Sequence, residues 1–119
     1  MMSKIRENLY VGDTAANANF CSEGSPITIV DLTGWLFDIT PNQNWHEVMN
    51  IIAVIKNSVL SGFPTLVHCH GGLDRSPFII ACYLTIVENM MSWEAYEEVK
   101  RLHPPTLVHD EWMSWFTLK

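Results

Sequence analysis

The feature that most constrains this sequence is a short apolar run that passes into a glycine-bearing loop and then into a helix. The run covers Thr65–His68, and the segment that starts at Pro77 is apolar nearly all round. This order predicts a strand, a loop and a helix N-terminus, with Ser76 at the N-cap and Pro77 at the first helical position. The amides of residues 70 to 75 should then be free to curl around one centre, and such a cradle binds an anion.

A cysteine and an arginine stand at the two ends of this loop. Cys69 ends the strand, where the helix N-terminus and the neighbouring Arg75 are expected to favour thiolate over thiol. Arg75 can bind two phosphate oxygens bidentately while the loop amides bind the rest, whereas a lysine lacks the planar fork for this. Ser76 is close enough in sequence to donate a hydrogen bond to the sulfur. The loop thus offers a nucleophile and an oxyanion clamp for phosphate-ester hydrolysis, which also needs an acid.

The spacing of Cys69, five residues and Arg75 resembles the signature of cysteine-dependent protein phosphatases, and most closely their dual-specificity branch. His68 before the cysteine and Ser76 after the arginine are part of the resemblance, which extends over residues 5 to about 116. It implies that Ser76 helps the thiolate to leave in the second step of the reaction. It also implies that His68 helps to set the reactivity of the thiol and the shape of the loop.

The resemblance assigns phosphate binding to the residues between the strand and the helix. These are His70, Gly71, Gly72, Leu73, Asp74 and Arg75. Gly71 departs from the family pattern because an alanine is usual there. Asp74 is a stronger departure, since a carboxylate repels the phosphate, so its side chain is expected to turn outward or to bond backbone amides. Some lipid-phosphatase and phytase branches share this Asp but surround it with basic residues, whereas this loop has only Arg75 and His70. A protein phosphomonoester is therefore favoured.

The general acid is expected upstream of the nucleophile. Family members carry it as an Asp on a loop after a short strand, and Asp38 stands in that context. Asp38 would give a proton to the leaving oxygen in the first step and accept one from water in the second. The rival is Asp31, which ends a buried strand and precedes Thr33-Gly34. Its favoured interpretation is a turn residue that bonds its own backbone.

Strand and helix patterns follow one another along the chain. Strands are predicted at Asn8–Gly12, Ile27–Leu32 and Thr65–His68, and helices at residues 14 to about 21, from Asn44 to before Gly62, from Pro77 to about Met90, from Ser92 to before Pro104 and from Asp110. Asp13 and Ser92 are expected to cap the helices that follow them. The pattern predicts an α/β domain of three α/β/α layers, with a central mixed sheet and the phosphate loop between a strand and the central helix. The 119 residues, 48% of them hydrophobic, should form one domain.

The overall charge and hydropathy limit the partners. Thirteen acidic and seven basic residues give a net charge of −6, so the sequence lacks the basic patch expected of a nucleic-acid-binding protein. No run approaches the length of a membrane span and no signal-peptide core is present, so a cytoplasmic protein without membrane contact is expected. The partners expected are phosphorylated proteins, no cofactor is expected, and the oligomeric state is left open.

The cysteines have no paired spacing. Cys21, Cys69 and Cys82 therefore argue for reduced thiols rather than a disulfide framework. Cys82 is expected to be inert core, while Cys21 could trap an oxidised Cys69. A metal site at His68-Cys69-His70 is disfavoured, because neighbouring residues of a strand point to opposite faces and no second pair stands at zinc spacing.

Trp35 and Trp45 flank the acid loop. Both are expected to serve packing, with the mouth of the substrate site as the alternative. The remaining histidines are expected on the surface. They are His46, His103 and His109.

Three functions are consistent with these features. The first is a protein phosphatase that accepts phosphotyrosine and phosphoserine/threonine, since a short chain leaves little room to deepen the pocket. The second is a phosphatase of non-protein phosphates, such as a nucleotide, an inositol lipid or an RNA 5′ end. The third is a module that binds phosphoproteins without turnover, which the joint presence of Cys69, Arg75, Ser76 and Asp38 disfavours. A rhodanese-type phosphatase would share the Cys-five-Arg loop but would not need Asp38.

Overall fold

The elements of the fold follow the predicted succession of strands and helices. A computed structural model describes residues 2–16, 27–33, 45–71 and 74–108 of the chain. In chain order its elements are β1 (Met2–Arg6), β2 (Leu9–Gly12), β3 (Thr28–Asp31), α1 (Trp45–Leu60), β4 (Thr65–His68), α2 (Arg75–Glu88) and α3 (Ser92–Leu102). Outside the described residues lie the predictions on Cys21, Trp35, Asp38, Gly72, Leu73, His109, the Trp45 side chain and the helix from Asp110.

The four strands form one mixed sheet in the order β1-β2-β4-β3. β1 pairs with β2 antiparallel, whereas β2 and β3 both run parallel to β4. All four residues of β4 are buried, as expected of a central parallel strand. The register places Gly12 and Asp31 on either side of His68. Three strands therefore end side by side, one residue before Cys69, and the predicted mixed sheet is confirmed.

The helix that follows the phosphate loop is the buried centre of the described fold. α2 contacts α1, α3, β2 and β4, and its residues are buried without interruption from Ser76 to Leu84. Cys82 lies in this stretch and is fully buried. The predicted core position of Cys82 is confirmed, and burial raises the pKa of its thiol well above the usual value.

α1 turns one apolar face toward the rest of the fold. Val48, Ile52 and Ile55 are buried at the predicted helical spacing, and the helix contacts α2, β3 and β4. It ends before Gly62, whose φ of 83° is a left-handed conformation that glycine adopts without steric cost. None of the helices in the described ranges combines the length and the apolar character needed to cross a membrane.

The strand β1 is an addition to the sequence prediction. Ile5 is its only buried side chain, so the alternation that identifies a strand is hidden. A turn through Asn8, with a φ of 65°, joins β1 to β2 in a hairpin. The Arg6 guanidinium lies 3.0 Å from a carboxylate oxygen of Glu88 and 3.0 Å from one of Glu98. The hairpin is thereby tied to the end of α2 and to α3.

Two helices begin at positions that differ from the predicted caps. α2 begins at Arg75 with Asp74 as its N-cap, so Pro77 occupies the third helical position instead of the first. The prediction of Ser76 as N-cap is wrong because this residue lies within the first turn and its hydroxyl bonds elsewhere, as described below. α3 begins at Ser92 itself, so the prediction of Ser92 as the cap is wrong by one residue. Either shift is within a turn of the predicted boundary.

His103 is buried, and the prediction that it lies on the surface is wrong. It is 2% exposed, and its Nδ1 lies 2.7 Å from the Ser3 Oγ in β1. Its carbonyl oxygen accepts the Thr106 hydroxyl at 2.7 Å. The partner in β1 is 100 residues away in sequence, so local pattern gives no sign of this burial. His46 is exposed, as predicted.

Candidate active site

Cys69 lies directly after β4 and lines a pocket, and two polar groups of Ser76 contact its sulfur. The Ser76 backbone N–H donates to Sγ at 3.4 Å, and the Ser76 Oγ lies 3.2 Å from the same atom. Both groups belong to the first turn of α2, where the helix dipole adds positive potential. Cys69 is 3% exposed, so these contacts are shielded from water. The arrangement is suited to a sulfur that carries negative charge.

The Ser76 hydroxyl has a second partner on β2. Its Oγ also lies 3.4 Å from the Gly12 carbonyl oxygen, and the residue is fully buried. A hydroxyl has one proton to donate. When Cys69 is a thiol, its S–H can donate to Oγ while the hydroxyl donates to Gly12. When Cys69 is a thiolate, the hydroxyl proton can turn to the sulfur instead, so the site can accommodate both forms.

The pocket in front of the sulfur has a volume of about 230 Å³. It is lined by Cys69, His70, Gly71, Asp74 and Arg75. Within the described ranges the Arg75 side chain makes no ion pair, so its guanidinium is available to an anion. Asp74, the N-cap residue of α2, makes no side-chain capping bond to the helix. A basic residue, Arg75, and an acidic residue, Asp74, therefore both line the described part of the pocket.

His68 lies behind the nucleophile rather than in the pocket. It is 1% exposed, and in the described part of the chain neither of its ring nitrogens has a hydrogen-bond partner. Its Nε2 is 3.8 Å from the Asp31 Oδ1 on the neighbouring strand. His68 thus adjoins Cys69 in sequence and a carboxylate in space.

Asp31 is held in a turn of its own. Its Oδ1 accepts the Thr33 backbone N–H at 2.9 Å and the Thr33 hydroxyl at 2.6 Å, which confirms the predicted turn role. These two hydrogen bonds from Thr33, with a smaller contribution from His68, hold the pKa of the Asp31 carboxyl below its usual value. A carboxyl that stays ionised in this way is poorly suited to donate a proton at neutral pH. Asp38 remains the predicted acid, outside the described residues.

The segment after β2 also reaches the loop, and sequence analysis missed it. Asp13 caps the helical turn at residues 14–16 as predicted, its Oδ1 accepting the Ala16 N–H at 2.9 Å. The first residue of that turn, Thr14, donates its backbone N–H to the His70 carbonyl oxygen at 3.3 Å. The one sequence signal available was its position after a strand predicted to lie in the same sheet.

The predicted site residues are therefore partly assembled in the described structure. It brings together Cys69, His70, Gly71, Asp74, Arg75 and Ser76, with His68 behind them.

Nearly the whole chain matches a known protein family. The sequence model described as dual specificity phosphatase, catalytic domain, matches residues 10–118. The chain belongs to this family.

About half of this dual specificity phosphatase domain is similar to a part of a plant protein. The match is to an Arabidopsis thaliana protein named phosphatidylglycerophosphate phosphatase PTPMT2, with 36% identity over 63 residues. The matched region is 53% of this chain, but it spans only 28% of the plant protein.

Solved structures share the fold at low sequence identity. Human DUSP28 is 16% identical with a TM-score of 0.79, and the alignment covers 98% of this chain and 90% of that one. PTPMT1, solved in complex with PI(5)P, is 12% identical with a TM-score of 0.78, covering 98% and 92% of the two chains. The predicted α/β phosphatase-like fold of this dual specificity phosphatase domain is thereby confirmed.

Proposed function

We propose that this domain hydrolyses phosphomonoesters through a cysteinyl-phosphate intermediate on Cys69. The observation that supports this is the position of the Cys69 sulfur, which contacts the Ser76 backbone N–H and hydroxyl in a pocket that Arg75 also lines. Phosphoryl transfer needs a nucleophile and an oxyanion clamp, and in this proposal Cys69 supplies the first while Arg75 and the loop amides supply the second.

In the first step the Cys69 thiolate attacks phosphorus, and the bond from phosphorus to the ester oxygen breaks. The leaving oxygen takes a proton from Asp38, while Arg75 and the loop amides bind the non-bridging oxygens. In the second step water attacks the phosphocysteine and gives its proton to Asp38. The sulfur leaves as a thiolate, which the Ser76 hydroxyl stabilises. Both protons are then accounted for and the enzyme returns to its starting state.

The reaction mechanism is tested with a small aryl phosphate. Hydrolysis should persist in excess chelator, and vanadate or thiol alkylation should block it. Cys69→Ser should abolish turnover, whereas Cys82→Ala, which alters a thiol buried in α2, should retain it. Loss of activity on chelation, or an active Cys69→Ser protein, would overturn the mechanism.

The substrates we favour are phosphoproteins that carry phosphotyrosine or phosphoserine/threonine. Support comes from the charge of the pocket, where one guanidinium shares the described wall with Asp74. The chain as a whole carries thirteen acidic and seven basic residues. Among the described residues that line the pocket, clustered phosphates meet no lysine or second arginine, whereas a single phosphate is matched by Arg75 and the loop amides.

A lipid phosphate is the second candidate, because the relative with 36% identity is named a phosphatidylglycerophosphate phosphatase. The protein-phosphatase and lipid-phosphatase functions are distinguished by measuring kcat/KM at two salt concentrations. The substrates are a basic phosphopeptide, an acidic phosphopeptide, phosphatidylglycerophosphate and an inositol phosphate. The basic phosphopeptide should lead, by a few-fold over the acidic one because exposed charges are screened within about 8 Å at physiological salt. A kcat/KM tenfold higher for either non-protein substrate than for the phosphopeptides would replace the protein-phosphatase proposal with a phosphatase of non-protein substrates. Asp74→Gly should raise the affinity for the inositol phosphate.

A further inference from the structure

The phosphate loop is held from outside by the segment that follows β2. The Thr14 Oγ1 lies 3.4 Å from the Cys69 carbonyl oxygen and 3.2 Å from the His70 carbonyl oxygen. The Thr14 backbone N–H donates to the same His70 oxygen at 3.3 Å. One residue therefore offers donors to two successive carbonyls at the start of the loop.

The direction of those carbonyls decides the direction of the loop amides. In a trans peptide the C=O and the next N–H point to opposite sides, and the described residues contain no cis peptide bond. A Cys69 carbonyl that faces Thr14 turns the His70 N–H away from Thr14. A His70 carbonyl that faces Thr14 does the same for the Gly71 N–H. His70 and Gly71 line the pocket together with Cys69, and Thr14 does not, so amides that turn away from Thr14 are placed to face the pocket.

We propose that Thr14 is a positioning residue that holds the first two peptide planes of the phosphate loop with their amides toward the bound oxyanion. The inference rests on the proposed function, because the oxyanion is the phosphoryl group that Cys69 receives. The cap that Asp13 provides to the Ala16 N–H fixes the turn that carries Thr14. Preorganised amides of this kind stabilise an oxyanion without reorganisation at the moment of binding.

The same hydroxyl also reaches the side chain of the loop's first residue. Thr14 Oγ1 lies 3.4 Å from the His70 Nδ1. A hydroxyl can accept from a ring N–H while it donates its single proton to a carbonyl. Thr14 can thus fix the His70 ring at the rim of the pocket while it holds the backbone. Because one proton is shared between two carbonyls, removing the hydroxyl should cost about one hydrogen bond and not two.

The test compares oxyanion binding in two variants of this residue. Thr14→Val keeps the shape and the backbone N–H but lacks the hydroxyl. We expect the Kd for vanadate to rise by about 3- to 10-fold, the effect of one hydrogen bond, and kcat/KM for an aryl phosphate to fall by a similar factor. Thr14→Ser, which restores the hydroxyl, should bind vanadate within about twofold of the wild-type chain.

A matched control removes the same kind of bond elsewhere. Thr106→Val loses a hydroxyl that donates to the His103 carbonyl oxygen at 2.7 Å, and neither residue lines the pocket. This variant should lower the melting temperature and leave vanadate affinity unchanged. In addition, the amide resonances of His70 and Gly71 should move on vanadate binding in the wild-type chain and move less in Thr14→Val.

The outcomes separate this inference from the proposed function. If the wild-type chain binds vanadate and Thr14→Val binds it equally well, Thr14 has no positioning role. Failure of Thr14→Ser to restore affinity would also overturn that role, since shape and not the hydroxyl would then matter. If the folded wild-type chain binds no vanadate, the proposed function fails, and the role of Thr14 fails with it.

Discussion

Asp31 and His68 are register partners on the parallel strands β3 and β4, with the Asp31 Oδ1 3.8 Å from the His68 Nε2. The carboxylate is half exposed at the end of the sheet, whereas the imidazole is buried. The two hydrogen bonds from Thr33 hold the carboxylate in place, and the nearby imidazole adds a smaller attraction when it is protonated. A charged side chain thus stands close to the nucleophile without reaching its pocket.

Asp31→Asn should act on stability and hardly on turnover. The pKa of Asp31 is lowered from 3.8, first by its hydrogen bonds from Thr33. Since the folded-state pKa is the lower one, the ionised carboxylate contributes its full stability above about pH 4 and loses it as pH falls through the folded-state pKa. The variant should therefore unfold more easily at pH 7, by at most about 1 kcal/mol because half of the side chain is exposed.

Thermal unfolding of both proteins at neutral pH and near pH 2 measures this difference. The gap in melting temperature should narrow toward the acidic end, as Asp31 becomes protonated in the wild-type chain. A gap that is equal at both pH values would show that the ionised form is not what stabilises the turn.

Asp38→Asn should slow turnover without a matching loss of stability. The substitution removes the predicted proton donor, so hydrolysis of alkyl phosphates should fall by roughly 10²- to 10⁴-fold. Aryl esters with good leaving groups should lose less, because their oxygen needs less protonation. Steady-state kcat for a series of esters checks this, with Asp31→Asn as the matched control. If Asp31→Asn gave the larger loss on alkyl esters, the acid would be Asp31.

Ser76→Ala should slow the second chemical step more than the first. It removes the hydroxyl 3.2 Å from the Cys69 sulfur while leaving the backbone donor in place. A hydrogen bond to a charged group is worth enough to reduce kcat by roughly 10- to 100-fold. Cysteinyl-phosphate should then accumulate, visible as a burst of aryl alcohol or by mass spectrometry of quenched enzyme. If kcat falls but no cysteinyl-phosphate accumulates, Ser76 acts on the formation of the intermediate and not on its hydrolysis.

Arg6→Gln should lower stability modestly and in a salt-dependent manner. Arg6 bonds Glu88 and Glu98, but its side chain is 29% exposed, so the loss should be no more than about 1 kcal/mol. Lys4→Gln is the matched control, since Lys4 pairs with the exposed Glu7 on the same hairpin. Urea unfolding at low and high salt measures both variants. Equal effects of the two substitutions would mean that the ties to the helices contribute nothing.

The part of the site that is continuous in sequence could be predicted, because the residues with its chemical groups are close neighbours in the chain. Cys69, Arg75 and Ser76 stand at fixed spacing between an apolar strand and an apolar helix. The structure places Cys69 and Arg75 in one pocket, with Ser76 in contact with the Cys69 sulfur. The fold class followed from the same order of elements. Periodicity also located α1 and the central helix, since a buried face repeats along the sequence.

The remaining features depend on which segments become neighbours in space. Gly12 and Thr14 lie near the loop because β2 pairs with β4, and the types of these two residues do not indicate that pairing. The burial of His103 depends on Ser3 in the same way. The cap of α2 was misplaced because Ser76, a good capping residue by type, bonds the sulfur and the Gly12 carbonyl instead.

The attachment of β1 bears on the order in which the chain can assemble. Its ties through Ser3 and Arg6 close loops of 100 and 82 residues, and even the parallel pair of Leu9 and Thr65 is far apart along the chain. Loops of this length close at an entropic cost that only a largely formed fold can offset, and pairings this remote slow folding. A two-stranded hairpin is at best marginally stable by itself in water. The edge strand β1 is therefore expected to gain its stability late in folding, and refolding rates should be least sensitive to substitutions in β1.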